Sequence, residues 1–290
     1  MSLYSIWVAE FASIKQFPTG LLLNGVINGE TRRMPYAYVV VKGQGRTILI
    51  DVGFDYRDFA KAVVDTMALN DWQSPSTVLG ELGLAPEDVT HILLTHAHFD
   101  HMGGLDFFPN ATLYLQEREL AKWVWGLSLD PKFQSLSFGI NPADILRAVD
   151  LAAQRRLVCL QGDQEDIFPG IDVRLVEDSH TWGSMYVTVR NDGRRDSDDS
   201  WVFAGDLVYA YDNLGLNPSG TYTPVALAVG GAATLLFAAD RMVKTAGGDP
   251  HRVVPVHEDR LKDHFPCRQT KHDLRITELA LADGDTSRVR

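Results

Sequence analysis

The stretch Ile92-Leu93-Leu94-Thr95-His96-Ala97-His98-Phe99-Asp100-His101 joins an apolar run to four metal-capable side chains crowded into six positions. Imidazole nitrogen and carboxylate oxygen are both zinc ligands, and a catalytic zinc site needs convergent ligands with one position left open. The apolar run reads as a buried strand, so the motif sits where that strand ends. In so tight a turn, His96 and His98 can face one ion while Asp100 and His101 face a neighbouring one. Gly103-Gly104 follows at once and lets the chain reverse direction close to that centre. A lone histidine is usually structural, but three with an aspartate at this spacing are poorly explained by chance.

Outward from the motif, the pattern alternates strands and helices. Tyr36–Val41 and Thr47–Asp51, separated by Lys42-Gly43-Gln44-Gly45-Arg46, read as a β-hairpin. Asp55–Met67 has helical periodicity, and Ser74-Pro75 opens a second helix that stops at Gly83. The motif strand is His91–Thr95, and Ala111–Gln116 is another. Residues 117–156 interrupt this rhythm with an aromatic, helix-compatible patch (Leu120, Trp123, Val124, Trp125, Leu127) and a helix opened by Asn141-Pro142. They are expected either to pack as ordinary core or to form an apolar cap over a pocket. Strands follow at Arg156–Leu160, Asp172–Val176, Met185–Arg190 and Ser200–Ala204, with a solvated loop at 191–199. A Gly-, Pro- and Tyr-rich insertion, Tyr211–Gly231, precedes a helix at Ala232–Ala246 and a strand at Arg252–Val256. The polar residues Asp283–Arg290 are expected to fray. No linker divides the chain, so one domain over 1–290 is expected, with insertions at about 117–156 and about 211–231.

The 290 residues, 45% of them hydrophobic, are enough to bury a sizeable core. A formal net charge of −11 without any basic stripe disfavours nucleic acid and anionic membrane surfaces as partners. Cys159 and Cys267 give no disulfide framework. Nor is there a signal-like N-terminus, or a run approaching the roughly 18 apolar residues that span a bilayer. These features lead to the expectation of a soluble, cytoplasmic protein, monomeric or homodimeric.

Three more metal-capable residues lie at strand ends: His180 after Leu175–Ser179, Asp206 after Val202–Gly205, and His257 after Val253–Val256. With the motif they make five His and two Asp, an inventory suited to two zinc ions bridged by a carboxylate. His91, His251, His264 and His272 lack such context. Glu258 and Asp259, next to His257, are expected to be solvated, with support of that ligand from behind as the alternative.

Here the chain resembles the metallo-β-lactamase superfamily over nearly its whole length. His96-Ala97-His98-Phe99-Asp100-His101 is similar to its HxHxDH signature, and Ile48-Leu49-Ile50-Asp51 to its early strand, whose Asp supports the metal loop. His180-Thr181, Gly205-Asp206 and Pro255-Val256-His257 stand in the order of its later ligands. Trp182 replaces the proline that often follows His-Thr, which puts the local pocket wall in question. The resemblance implies a four-layered αβ/βα sandwich of the α/β class. It also implies one zinc on His96, His98 and His180, another on Asp100, His101 and His257, and Asp206 between them. Mn, Co or Fe would suit the same ligands.

Tyr209, three residues after Asp206, is placed like the tyrosine of the N-acyl-homoserine lactonase group that reaches the substrate carbonyl. This resemblance implies a dinuclear zinc hydrolase that opens a lactone with a metal-activated hydroxide, a quorum-quenching type of activity. Tyr209 would stabilise the oxyanion, and Asp100 or Asp206 would carry the proton. Asp51 reads as a support that orients ligands. The alternatives are a glyoxalase-II-like thioesterase, with Arg260, Lys262, Arg268 and Lys271 to hold glutathione, and a metal-dependent binder of a small ligand that does not turn it over. The charge argues against a ribonuclease-Z-like nuclease, and the lack of an export signal against a β-lactamase.

Overall fold

The computed structural model describes residues 1–290. Its strands, in chain order, are β1 (Tyr4–Pro18), β2 (Thr31–Gly43), β3 (Arg46–Ile50), β4 (Leu69–Asn70), β5 (His91–Leu93), β6 (Thr112–Gln116), β7 (Leu157–Leu160), β8 (Gln164–Phe168), β9 (Ile171–Glu177), β10 (Gly183–Arg190), β11 (Ser200–Phe203), β12 (Val253–Val254), β13 (Cys267–Gln269) and β14 (Arg275–Ala280). The helices are α1 (Thr19–Leu22), α2 (Asp58–Asp65), α3 (Pro75–Gly80), α4 (Phe99–Met102), α5 (Glu117–Gly126), α6 (Pro142–Ala153), α7 (Ala232–Thr245) and α8 (Leu261–His264). None is long and apolar enough to cross a membrane.

One sheet runs β13-β14-β1-β2-β3-β5-β6-β7, with β4 against β1, and the other runs β12-β11-β10-β9-β8. With helices on the outer faces, this is the four-layered αβ/βα sandwich of the α/β class. The apolar runs of β2, β3, β10 and β11 are buried, as strands covered on both faces must be. In the β2–β3 hairpin Gln44 and Gly45 both take positive φ (50° and 72°), the geometry of a two-residue turn that follows the sheet's twist.

Topology gathers the strand ends that matter. β3 and β5 run parallel, and β9 and β11 are both antiparallel to β10, while β12 is parallel to β11. Asp51 and Thr95 therefore leave one sheet on the same side, and His180, Asp206 and His257 leave the other together.

Several strands and the C-terminal tail depart from the sequence reading. β1, the longest strand, was not anticipated, nor were β8, β13 and β14. The tail 283–290 is tied down rather than frayed: Ser287 Oγ and Arg288 N–H donate to Glu278 (2.9 and 3.0 Å), and Ser5 Oγ donates to Asp285 (2.7 Å). Within 117–156, α5 and α6 pack on β10, β6 and β7.

Glu10, buried on β1, receives a bidentate Arg33 (3.0 and 2.6 Å), and Arg33 also reaches Asp259 (2.8 Å), two residues beyond His257. This pair joins β1, β2 and the His257 loop. Breaking one side of a buried pair strands the other charge. Arg33→Met is therefore expected to lower unfolding stability by about 3 kcal/mol. The loss should appear as a lower urea midpoint at unchanged slope.

Candidate metal centre

His96, His98, Asp100 and His101 all come from the turn after β5 and the short α4. Asp51, at the end of β3, organises that turn. Its carboxylate accepts from Thr95 N–H (2.8 Å), from the Thr95 hydroxyl (2.8 Å) and from His101 Nδ1–H (2.8 Å). Asp51 itself has φ +62°, a backbone state that non-glycine residues keep only when their surroundings enforce it. Gly205, before Asp206, also has positive φ, and a Cβ there would lie 2.6 Å from Thr95 Oγ1, so the approach of β11 to this turn requires glycine.

The structure brings all seven expected side chains together. His98 Nδ1 lies 3.1 Å from His96 Nε2 and 2.9 Å from His180 Nε2, and Asp206 Oδ2 is 3.6 and 3.3 Å from those two Nε2 atoms. On the other side, Asp206 Oδ1 is 3.0 Å from His101 Nε2 and 3.2 Å from His257 Nε2, with Asp100 Oδ2 3.6 and 3.7 Å from the same nitrogens. Each group's ligand atoms lie within 4.8 Å of one another, and Asp206 belongs to both groups. All seven are buried except Asp100, which is partly exposed.

The outer ring nitrogens are spoken for. His180 Nδ1–H donates to the Leu227 carbonyl (2.7 Å) and His257 Nδ1–H to that of Pro35 (2.8 Å), while His96 Nδ1 meets Thr95 Oγ1 (3.0 Å). Since the Thr95 hydroxyl proton goes to Asp51, its oxygen accepts from His96. Each of these anchors fixes the proton on Nδ1 and turns the Nε2 lone pair inward. The Nε2 lone pairs of His96 and His180 then converge on His98 Nδ1, which can carry at most one proton for the two of them. His101 Nε2 and Asp206 Oδ1 are buried with no hydrogen-bond partner. Unpaired buried polar atoms of this kind are rare in proteins. A convergent set of buried ring nitrogens and carboxylate oxygens, some of them unpaired, fits divalent cations, and the His/Asp set is a metal-binding one.

Without an ion, the site's electrostatics are lopsided. Burial and the neighbouring imidazoles push His96 and His98 well below the usual imidazole range. Burial opposes charge on His101 and His257 too, but there Asp206 and the other nearby carboxylates outweigh it and raise both. Burial likewise opposes charge on Asp206, yet the imidazoles of His101 and His257 hold it well below the carboxylate range. Asp100 is pushed up, chiefly by burial.

Tyr209 is buried, with its ring edge-on between His180 and His257 (centroids 5.6 Å from each). It lines a cavity of about 180 Å³ over the centre, walled by Phe17, Leu21, Leu22, Met34, Met67, Phe138 and Leu227, with no lysine or arginine. Of the segment 117–140, Phe138 and Gly139 reach this cavity. Trp182 does not, and packs edge-to-face against Trp123 and Trp125 instead. Larger hollows beside α5 and on the outer face of the second sheet lie away from these groups.

Three residues here escaped the sequence reading. Tyr36 lines the cavity edge-on to His257 (5.4 Å). Glu119 is buried behind the first cluster. Glu258, expected to be solvated, is buried: it accepts from Tyr211 N–H (2.6 Å) and pairs with Arg260 (2.8 Å). Asp259 pairs with Arg33 and Arg275. The only cue was adjacency to His257, and a Glu-Asp pair near basic residues reads equally well as surface.

The family model described as the metallo-beta-lactamase superfamily matches residues 31–257. The chain is 31% identical over 106 residues to the anti-Pycsar protein Apyc1 of Saccharibacillus brassicae, covering 36% of this chain and 43% of that one. It is 29% identical over 100 residues to the N-acyl homoserine lactonase AttM of Azorhizobium caulinodans, covering 32% and 38%. Each match spans less than half of the relative's length. Among solved structures, AidC, described as a dizinc quorum-quenching lactonase in complex with its product N-hexanoyl-L-homoserine, superposes with a TM-score of 0.64 at 16% identity. That superposition covers 97% of this chain and 96% of AidC.

Two outcomes test the centre. Asp51→Asn turns an amide N–H toward one of its donors, and should weaken metal affinity about 10- to 100-fold in competition with a chromophoric chelator. The raised pKa values of His101 and His257 mean that an entering cation displaces protons. Metal affinity should therefore rise as pH climbs through and beyond the ordinary imidazole range, with proton release visible to an indicator dye in weak buffer.

Proposed function

Because the chain belongs to the metallo-beta-lactamase superfamily of metal-dependent hydrolases, we propose that its paired clusters hold two divalent cations, zinc foremost, and that the site opens a neutral cyclic ester. His96, His98 and His180 would hold one cation, Asp100, His101 and His257 the other, and Asp206 would be shared. When bound, such a pair supplies Lewis acidity and an activated water near neutral pH.

The observation that carries the lactone reading is Tyr209. Burial, with the negative charge of Asp206 and Asp100, keeps its phenol protonated, so it faces the cavity as a hydrogen-bond donor. A donor fixed before reaction stabilises negative charge as it develops on a carbonyl oxygen. Asp100 suits proton transfer better than Asp206. It is the least buried of the seven and lines the cavity. Both Asp206 oxygens already face ring nitrogens, and its proton affinity is low.

The cavity wall selects the substrate class. Beyond the ligands it offers apolar side chains and no lysine or arginine, so an anionic group held away from the cations would find no counter-charge on the wall. That disfavours the glutathione thioester alternative. Three of the four basic residues expected to serve it are paired elsewhere, Arg260 with Glu258 and Asp212, Lys262 with Asp263, and Arg268 with Glu81, and the fourth, Lys271, does not line the cavity.

The test is turnover by metal-loaded protein. Uncharged N-acyl lactones should be hydrolysed and glutathione thioesters hardly at all. Tyr209→Phe should lower kcat on lactones about 100-fold while metal content stays unchanged. A thioester preference, or full activity of the Phe variant, would defeat the lactone assignment. Tight lactone binding without product would favour a non-catalytic binder.

A further inference from the structure

The Glu119 carboxylate, in the first turn of α5, is fully buried and accepts four hydrogen bonds. Oε1 takes Ala97 N–H (2.9 Å) and Trp123 Nε1–H (2.8 Å). Oε2 takes the Thr181 hydroxyl (2.8 Å) and Gly183 N–H (2.6 Å). No lysine or arginine pairs with it, and burial pushes its carboxyl up while these donors oppose the rise. Three donors are N–H groups that cannot accept a proton in return, so the ionised carboxylate is the form that satisfies all four.

The position of those donors along the chain is informative. Ala97 separates His96 from His98, and Thr181 follows His180. One oxygen thus grips the first loop of the His96/His98/His180 cluster, and the other oxygen grips the second. The other cluster is anchored through different groups, His101 by Asp51 and His257 by the Pro35 carbonyl. The fit around Glu119 is close: a Cβ on Gly183 would lie 2.5 Å from the Glu119 backbone nitrogen. Trp182 packs against Trp123 and Trp125, which presses α5 onto the same loop.

We infer that Glu119 is a positioning residue for one of the two cation subsites, holding the two loops that carry His96, His98 and His180 in register while leaving the Asp100/His101/His257 subsite to other anchors. This rests on the two-cation reading above. A carboxamide cannot replace the carboxylate here. The Thr181 hydroxyl can turn round to accept, but a glutamine NH₂ on that side would still face Gly183 N–H, and on the other side it would face two N–H donors. Either placement pushes a loop away from its partner. Partners one layer behind metal ligands typically change affinity by about 10- to 100-fold.

The experiment loads metal-free wild type, Glu119→Gln, His180→Ala and His257→Ala with Zn²⁺ by equilibrium dialysis, and with Co²⁺ for absorption spectra. Wild type should take up two equivalents. Glu119→Gln should keep one tight equivalent and bind the second about 10- to 100-fold more weakly, with a one-equivalent cobalt spectrum like that of His180→Ala and unlike that of His257→Ala. Two equally tight equivalents, or an equal loss at both subsites, would overturn the inference. Wild type taking fewer than two would instead overturn the two-cation reading itself. Should Glu119→Gln fail to fold by circular dichroism, Thr181→Val keeps the side-chain shape and removes one Oε2 donor. The same subsite should then weaken about 3- to 10-fold, and unchanged affinity at both subsites would overturn the inference.

Discussion

The Asp51 carboxylate is the contact on which the rest of the site depends. It lies where β3 ends and locks onto the turn that leaves β5, its parallel neighbour, through Thr95 N–H, the Thr95 hydroxyl and His101 Nδ1. Two histidines are oriented by this one group. His101 is held directly, and His96 is held through the Thr95 oxygen. A left-handed backbone at a non-glycine residue costs on the order of 1 kcal/mol. Three hydrogen bonds to a buried charge outweigh that cost, since each is worth about 1.5–3 kcal/mol. The turn draws its rigidity from these bonds, which hold Asp51 at φ +62° against that cost.

Much of the centre was legible because its information is local. His96 to His101 occupy six consecutive positions, and His180, Asp206 and His257 each follow a short apolar run, so strand ends could be recognised without any tertiary knowledge. β1 was invisible for the opposite reason. It is buried almost throughout and so has no period-two alternation. Its polar members are satisfied by distant partners: Ser5 by Asp285, and Glu10 by Arg33. β14 hides in the same way, since its Glu278 is paired with Trp7 and the tail. Glu119 illustrates the limit most clearly. It follows β6 directly, the same strand-end placement as the histidines, but a glutamate in the first turn of a helix usually signals only a favourable dipole interaction at the surface. The four donors that give it meaning come from residues 97, 123, 181 and 183, which no sequence window contains together.

The protein's acidity and its cavity are separate matters. The net charge of −11 is spread over surface carboxylates, many of them paired. The cavity itself presents apolar walls, two phenols, and the carboxylates of Asp100 and Asp206. Tyr36 and Tyr209 both keep their protons, under burial and the same two negative charges. The walls thus offer donors without positive charge. Such groups stabilise partial charge developing on a carbonyl oxygen, but cannot compensate a full anion carried in by a substrate.

That distinction links the fold to the chemistry. A lysine or arginine near Asp100 and Asp206 would pair with them, as Arg33 pairs with Glu10 on the far side of the His257 loop. It would compete with any cation for the same oxygens. Keeping basic side chains out of the cavity, and tying Arg33, Arg260 and Arg275 into networks behind it, leaves Asp100 and Asp206 free to act as ligands. The same exclusion leaves no protein counter-charge on the wall for an anionic group held away from the ligands. In this chain, the proposed preference for neutral substrates and the unpaired carboxylates of the centre follow from one arrangement: guanidinium groups buttress the His257 loop from behind, and no lysine or arginine faces the cavity.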